Sequence, residues 1–246
     1  IITVDWQLPT TDYEFMKRVL HIGLLELSSP RKLIIAGDFL NNDAFSGYDD
    51  TVPSPRFNTE IKACKRVLAD LLLVFDEVFI FMGNHERRSQ RKTKGQLTAE
   101  LLFTLITTDD RVTVSPHGFM ELTSNDELYR VTHAKNYSVN QLTVADALAH
   151  KELCHIIQHH EHHLAIGYDR FKNFLIINNG GVFSQRDMAY VMIDDSKHAN
   201  MANGFTMVKN GVPTLYGKYP FTDWTSTDTE ISAISPELPK EIQEVI

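Results

Sequence analysis

Three buried-strand patterns, at residues 1–4, 32–37 and 77–82, alternate with stretches of helical periodicity, and this alternation narrows the possible folds more than any other feature. Strands that alternate with helices join in parallel through right-handed crossovers, so their C-terminal ends gather on one edge of one sheet. Open α/β sheets keep their chemistry at that edge. Asp5 follows the first pattern, Asp38 the second, and Gly83-Asn84-His85-Glu86 the third. His133 follows a later strand-like run at 128–132, and His160 and His162 follow 153–158. Each of these strand ends delivers a side chain of a type that ligates metals.

The intervening segments read as follows. Thr11-Asp12-Tyr13-Glu14 matches a capping box with Thr11 at the cap, opening a helix that runs to about Leu27 before Ser29-Pro30. Residues 39–55 lack periodicity and carry Gly47, Pro53 and Pro55, the marks of a long loop. Asn58 is placed to cap a second helix, whose core stripe is Ile61, Cys64, Val67, Leu68, Leu71, Leu72 and Phe75. A basic loop follows the third strand, and then a helix over 97–107. From residue 111 the texture changes to short strands, at 111–114, 119–122, 128–132, 154–158, 164–168 and 174–177, with one helix at 144–153, which predicts a second sheet. Asn210-Gly211 between 205–209 and 212–216 predicts a two-residue hairpin, and Pro213 puts one partner at a sheet edge. The polar stretch 225–246 reads as a surface-bound or mobile tail behind a main domain of 1–224.

Length and charge set the outer limits. With 246 residues and 43% hydrophobic content the chain can bury a full core in one domain. A formal charge of -8 argues against holding nucleic acid by a broad basic surface, though metal-ligating carboxylates inflate the negative count. Cys64 and Cys154 are the only cysteines and read as buried thiols of a reducing compartment. No apolar run approaches the roughly 18 residues of a membrane span, and the N-terminus lacks the regions of a signal peptide. A cytoplasmic protein without a membrane partner is therefore expected. The chain opens on Ile1, already inside a strand pattern, which points to residues upstream.

The strand-end residues suggest a chemistry. Asp38, in a Gly-Asp turn, is suited to bridging two cations, and Asp5 supplies a second negative charge. Mixed imidazole, carboxylate and amide ligation suits manganese, iron or zinc better than calcium. Two such ions roughly 3.5 to 4 Å apart can share a hydroxide, orient a phosphoryl group and stabilise the attacking and leaving oxygens. The predicted reaction is phosphoester hydrolysis.

Over residues 5–181 the chain resembles the calcineurin-like metallophosphoesterases, whose pattern is D-x-H, G-D, G-N-H-[DE], a lone His and G-H-x-H. The likeness implies a four-layer α/β/β/α sandwich of two mixed sheets flanked by helices. It also implies two divalent ions, manganese being the first expectation and iron or zinc the alternatives. Asp5, Asp38 and His162 would hold one ion, with Gln7 where the pattern has His. Asp38, Asn84, His133 and His160 would hold the other. His85 would be the general acid or the hydrogen-bond donor to the leaving oxygen. The chain departs from the pattern at Gln7, at His159 in place of Gly, and at Asn41 in place of an acidic residue, where Asp43 is the substitute that could reach inward. Its short length, Asp5 to Pro9, Gly204-Phe205 and Asn210-Gly211 look most like compact phage and bacterial members, and the double-strand-break repair nucleases are more distant.

The remaining candidates are less specific. His155, His159, His160, His162 and His163 allow several H-x-H choices; alternation along a strand end favours His160 and His162. His155 then reads as a strand histidine, and His159 and His163 as supporting or solvent-facing. His21, His117, His150 and His198 match no motif. Arg87 and Arg88 open a basic run beside His85 and are candidates for gripping phosphate. Phe45 and Tyr48 could stack on a base. The leading expectation is a phosphodiesterase acting on nucleic acid, DNA or RNA, or on a nucleotide; no protein partner is indicated. A phosphomonoesterase is the enzymatic alternative. A non-catalytic interaction module is favoured by Gln7 and Asn41 and opposed by the other ligand-type residues.

Overall fold

The computed structural model describes residues 1–47, 55–187 and 201–246. It is an α/β architecture with two mixed sheets. The first sheet contains β1 (Ile2–Thr3), β2 (Lys32–Ile35), β3 (Glu77–Phe81), β4 (Val112–Ser115), β10 (Gly204–Lys209) and β11 (Val212–Gly217), in the order β11-β10-β1-β2-β3-β4. The second contains β5 (Phe119–Ser124), β6 (Glu127–His133), β7 (His155–His159), β8 (Leu164–Tyr168) and β9 (Leu175–Asn179), in the order β5-β6-β7-β9-β8. The helices are α1 (Tyr13–Glu26), α2 (Phe57–Leu71), α3 (Glu86–Lys92), α4 (Ala99–Thr104), α5 (Thr143–Glu152), α6 (Thr225–Ile234) and α7 (Lys240–Gln243).

Strand alternation builds the layers. On β2, Leu33 and Ile35 face the cluster shared with Val19 and Leu20 of α1 and Val67 and Leu68 of α2. Ile34 joins Ile2, Phe81, Tyr129, Val131, Ile157 and Ile177, a core that lies between the two sheets. Ile156 and Ile176 point the other way and pack on Ala145 and Ala149 of α5. Side chains of one strand thus alternate between a helix-facing and a sheet-facing core. Cys64 and Cys154 are buried free thiols, as expected.

Several sequence expectations need correction. β4 pairs in parallel with β3, and β10 pairs antiparallel with β1, so both belong to the first sheet and only β5 to β9 form the second. The N-cap of α1 is Asp12, whose carboxylate accepts from the Phe15 amide at 3.0 Å, because the Thr11 hydroxyl donates to the Val182 carbonyl instead. α2 starts two residues early, with Arg56 rather than Asn58 at its cap. The basic loop after β3 is α3, and the loop from residue 39 contains a 3-10 turn, Asp43–Phe45. The hairpin expectation holds: Asn210 (φ 52°) and Gly211 (φ 78°) make the left-handed two-residue turn, and Pro213 sits on the edge strand β11. The stretch 225–246 is helical and lies against the body, with Ile231 buried and Ile242, Val245 and Ile246 packed on the main core. Trp224 anchors its start by donating to the Gly217 carbonyl and packing on Phe15, Phe205 and Tyr216.

Candidate metal centre

Parallel β1, β2 and β3 end side by side, and parallel β6 and β7 end across the inter-sheet core. Asp38, His133 and His160 bring ligand atoms within 4.8 Å of one another. Asn84 joins them, its Oδ1 lying 2.9 Å from His133 Nε2. Beside this group, Asp5 Oδ1 lies 3.5 Å from His162 Nε2, and Gln7 Nε2 lies 3.4 Å from the same nitrogen. The His160 amide lies 3.4 Å from Asp5 Oδ2 and ties the two groups together. The expected residues Asp5, Gln7, Asp38, Asn84, His133, His160 and His162 are therefore neighbours.

The backbone is bent to deliver them. Asp5 (φ 49°), Gln7 (φ 47°), Asp38 (φ 53°), His160 (φ 89°) and His162 (φ 58°) all adopt the left-handed region. Non-glycine residues reach it at a cost and collect where a side chain must be aimed. Gly83 is required for the closeness of the two loops, since a Cβ there would lie 2.1 Å from Asp38 Oδ1. Gly37 (φ 89°) meets the Gly83 backbone in the same way, at 2.6 Å.

Glu86 clamps these loops. Its fully buried carboxylate accepts from the amides of Asp38 (2.9 Å), Leu40 (3.0 Å) and Gly83 (2.9 Å). Asp38 Oδ1 in turn accepts from the His85 amide at 2.8 Å, which aims Oδ2 into the centre. Glu60 of α2 holds the next stretch by accepting from the amides of Asn42 (2.8 Å) and Asp43 (3.3 Å). On the second sheet, Glu161 accepts from the Ser138 amide (2.6 Å) and Asn178 Nδ2 (2.7 Å), anchoring the turn that carries His160 and His162. Sequence reading missed these three supporting roles; a glutamate in a helix, like Glu60 and Glu86, or in a turn, like Glu161, reads as a surface residue unless its burial is known.

Electrostatics follow from burial and from one carboxylate. Burial disfavours charge on Asp38, but the neighbouring His133 and His85 outweigh it and hold this carboxyl well below the usual range. Burial also works against the His133 imidazolium, yet Asp38, with Oδ2 at 3.3 Å, pushes its pKa up to about 9. Burial lowers His160, helped by the charge on His133. The Asp38 carboxylate thus takes its positive counter-charge from a proton on His133. A divalent cation can replace that proton and leave His133 neutral, the form that ligates. Asp5 Oδ1, Gln7 Oε1 and Asp38 Oδ2 are buried without a hydrogen-bond partner. Buried oxygens in that condition, beside imidazoles and an amide, are donor types that could hold a first-row metal ion.

The other candidates fall into place around this centre. His85 is buried, its Nδ1 lies 2.6 Å from the Asn41 carbonyl and its Nε2 2.9 Å from Arg88 Nη2. Burial lowers its pKa to about 4. Asp43 does not turn toward the Asp38 cluster; it accepts from Asn41 Nδ2 (2.6 Å) and Arg88 Nη1 (3.1 Å). Arg88 reaches the centre's edge through His85 Nε2, whereas Arg87 donates to the Pro116 carbonyl. His159, at the end of β7, and His163, beside the Tyr137 ring, are buried, not solvent-facing. His155 is held by Glu127 and the Leu175 amide, as a strand histidine should be. Phe45 packs edge-on against Phe57, and Tyr48 and His198 lie outside the described residues. A second cluster, Asp146, His150 and Asp169, is committed to local bonds: Asp169 accepts from the amides of Phe171, Asn173 and Phe174, and Asp146 pairs with Arg170.

No protein-family model matches the chain, and no curated protein matches it. Among solved structures, the protein of unknown function AQ665 from Aquifex aeolicus aligns over 70% of this chain and 81% of its own, with a TM-score of 0.34 and 13% identity. Among the described residues, no helix is long and apolar enough to cross a membrane.

Proposed function

We propose that the protein is a metal-dependent phosphodiesterase acting on a nucleic acid or nucleotide, in the manner of the calcineurin-like metallophosphoesterases. The observation that carries this reading is the meeting of Asp38, Asn84, His133 and His160 with Asp5, Gln7 and His162 at five adjacent strand ends, where buried carboxylate oxygens lack partners. Asp38, Asn84, His133 and His160 would hold one divalent ion, and Asp5, Gln7 and His162 with Asp38 the other. Manganese is the first choice, with iron or zinc as alternatives. Bound ions would supply a nucleophilic hydroxide at neutral pH and polarise the phosphoryl oxygens. The chain's own residues supply the rest. Glu86 and Gly83 fix Asp38, Glu161 fixes the His160 turn, and His85 with Arg88 stands beside the ligands. Gln7 fits this scheme as an oxygen ligand, because its Oε1 is the buried atom without a partner.

The test is metal content by elemental analysis together with hydrolysis of an aryl phosphodiester and an aryl phosphomonoester in manganese. The expected result is two ions per chain and faster turnover of the diester. Asp38→Asn should lose both ions and all activity, and chelation should do the same reversibly. Wild type that binds no metal, or that turns over neither ester nor DNA, refutes the proposal.

A further inference from the structure

The hydrogen bonds around His85 dictate its tautomer. A carbonyl oxygen only accepts, so Nδ1, 2.6 Å from the Asn41 carbonyl, carries the ring hydrogen. A guanidinium only donates, so Nε2, 2.9 Å from Arg88 Nη2, presents its lone pair. The neutral ring therefore gives its single N–H to the backbone and has none for a substrate. Arg88 has more to give. Its Nη1 donates to the Asn41 carbonyl and to Asp43 Oδ1, each at 3.1 Å. One Nη2 hydrogen goes to His85, and the second Nη2 hydrogen and the Nε hydrogen have no partner among the described residues. His85 Nε2 lies 3.7 Å from Asp38 Oδ2, so the guanidinium stands one hydrogen bond beyond the metal ligands.

We infer that Arg88 hydrogen-bonds the departing oxygen of the phosphoester and that His85 is the residue that positions it. The inference rests on the proposed hydrolase reading and reassigns the part that family likeness gives to His85. As a hydroxide oxygen bonds to phosphorus, the P–O bond to the leaving group breaks and the leaving oxygen keeps the electron pair. The fixed guanidinium charge meets that developing anion and retains its own protons; the leaving oxygen takes its proton from water. Asp43 and the Asn41 carbonyl hold the Nη1 side of the fork, and His85 holds Nη2. A donor of this kind matters most when the leaving group is poor, as a sugar hydroxyl is.

The experiment compares two thymidine phosphodiesters that differ only in leaving group, 4-nitrophenol or phenol. Arg88→Ala should retain wild-type metal content, lose about 10-fold in kcat/KM on the 4-nitrophenyl ester, and lose about 100-fold or more on the phenyl ester. Arg88→Lys, which keeps the charge but not the fork, should fall between wild type and Arg88→Ala on the phenyl ester. His85→Gln offers an amide oxygen to Arg88 and should recover much of what His85→Ala loses there. Long-range 1H–15N spectra of metal-free protein should show His85 as the Nδ1–H tautomer, with its Nε2 resonance moved by Arg88→Ala. If wild type hydrolyses both esters but Arg88→Ala loses the same factor on each, or if His85 is the Nε2–H tautomer, the assignment is overturned. If wild type hydrolyses neither, the hydrolase reading falls and this inference with it.

Discussion

Replacing Glu86 tests the clamp beneath the site without reference to any activity. Its Oε2 accepts from the Asp38 and Gly83 amides and its Oε1 from the Leu40 amide, and the residue is completely buried. Glu86→Gln keeps the shape. Its amide oxygen can retain the two bonds at the Oε2 position, but the NH2 group then faces the Leu40 N–H, donor against donor. One hydrogen bond is lost and one buried donor is stranded, a cost of about 2 kcal/mol. For a chain of this size that corresponds to a fall in melting temperature of roughly 4 to 8 °C. Glu86→Ala strands all three amides and should cost about 4 kcal/mol or more. The assay is thermal unfolding followed by circular dichroism in chelator, so that ion binding does not contribute to the midpoint. A Gln variant melting within about 1 °C of wild type, or as low as the Ala variant, refutes the claim that Glu86 holds the loops by accepting from these amides.

His21 supplies a pH-dependent prediction. Burial and the charge of Arg18 lower its pKa to about 4, and neither ring nitrogen has a hydrogen-bond partner. A depressed folded-state pKa means that stability is intact above the unfolded value and is lost as pH falls toward the folded one. His21→Leu should therefore flatten the fall in stability between pH 6.5 and 4 by up to about 3 kcal/mol, read from urea midpoints across that window. An unchanged slope would mean that His21 does not drive the acid response. Trp224, buried at the head of the C-terminal helices and under Arg18, should cost about 3 to 5 kcal/mol when replaced by Ala, whereas Phe should recover most of the loss in urea unfolding. A Trp224→Ala midpoint equal to wild type would show that the segment after residue 224 does not contribute to the core.

What the sequence reveals and what it hides divide along physical lines. Asp5, Asp38, Asn84, His133, His160 and His162 were legible because a strand's end can be read from its apolar run, and parallel order then places those ends together. β4 was assigned to the wrong sheet, and the hairpin strands to neither, because pairing partners are decided by tertiary packing, not by local pattern. α3 was invisible because Glu86 to Lys92 has no apolar periodicity; Arg87 and Arg88 are held in their turns by contacts with Pro116, Asn41, Asp43 and His85. The C-terminal helices bury only scattered residues such as Ile231, too sparse to mark a helical face. Thr11 and Asp12 are chemically equal candidates for a cap, and only the position of the Val182 carbonyl decides between them.

The left-handed backbone at Asp5, Gln7, Asp38, His160 and His162 sets stability and purpose against each other. Glycine would occupy each of these positions without the steric cost of roughly 1 kcal/mol that a side chain brings there. Glycine would relieve that backbone cost but dismantle the centre, and at Asp38 it would also strand the buried His85 amide. The backbone thus carries a cost at five positions where the side chains converge on one another.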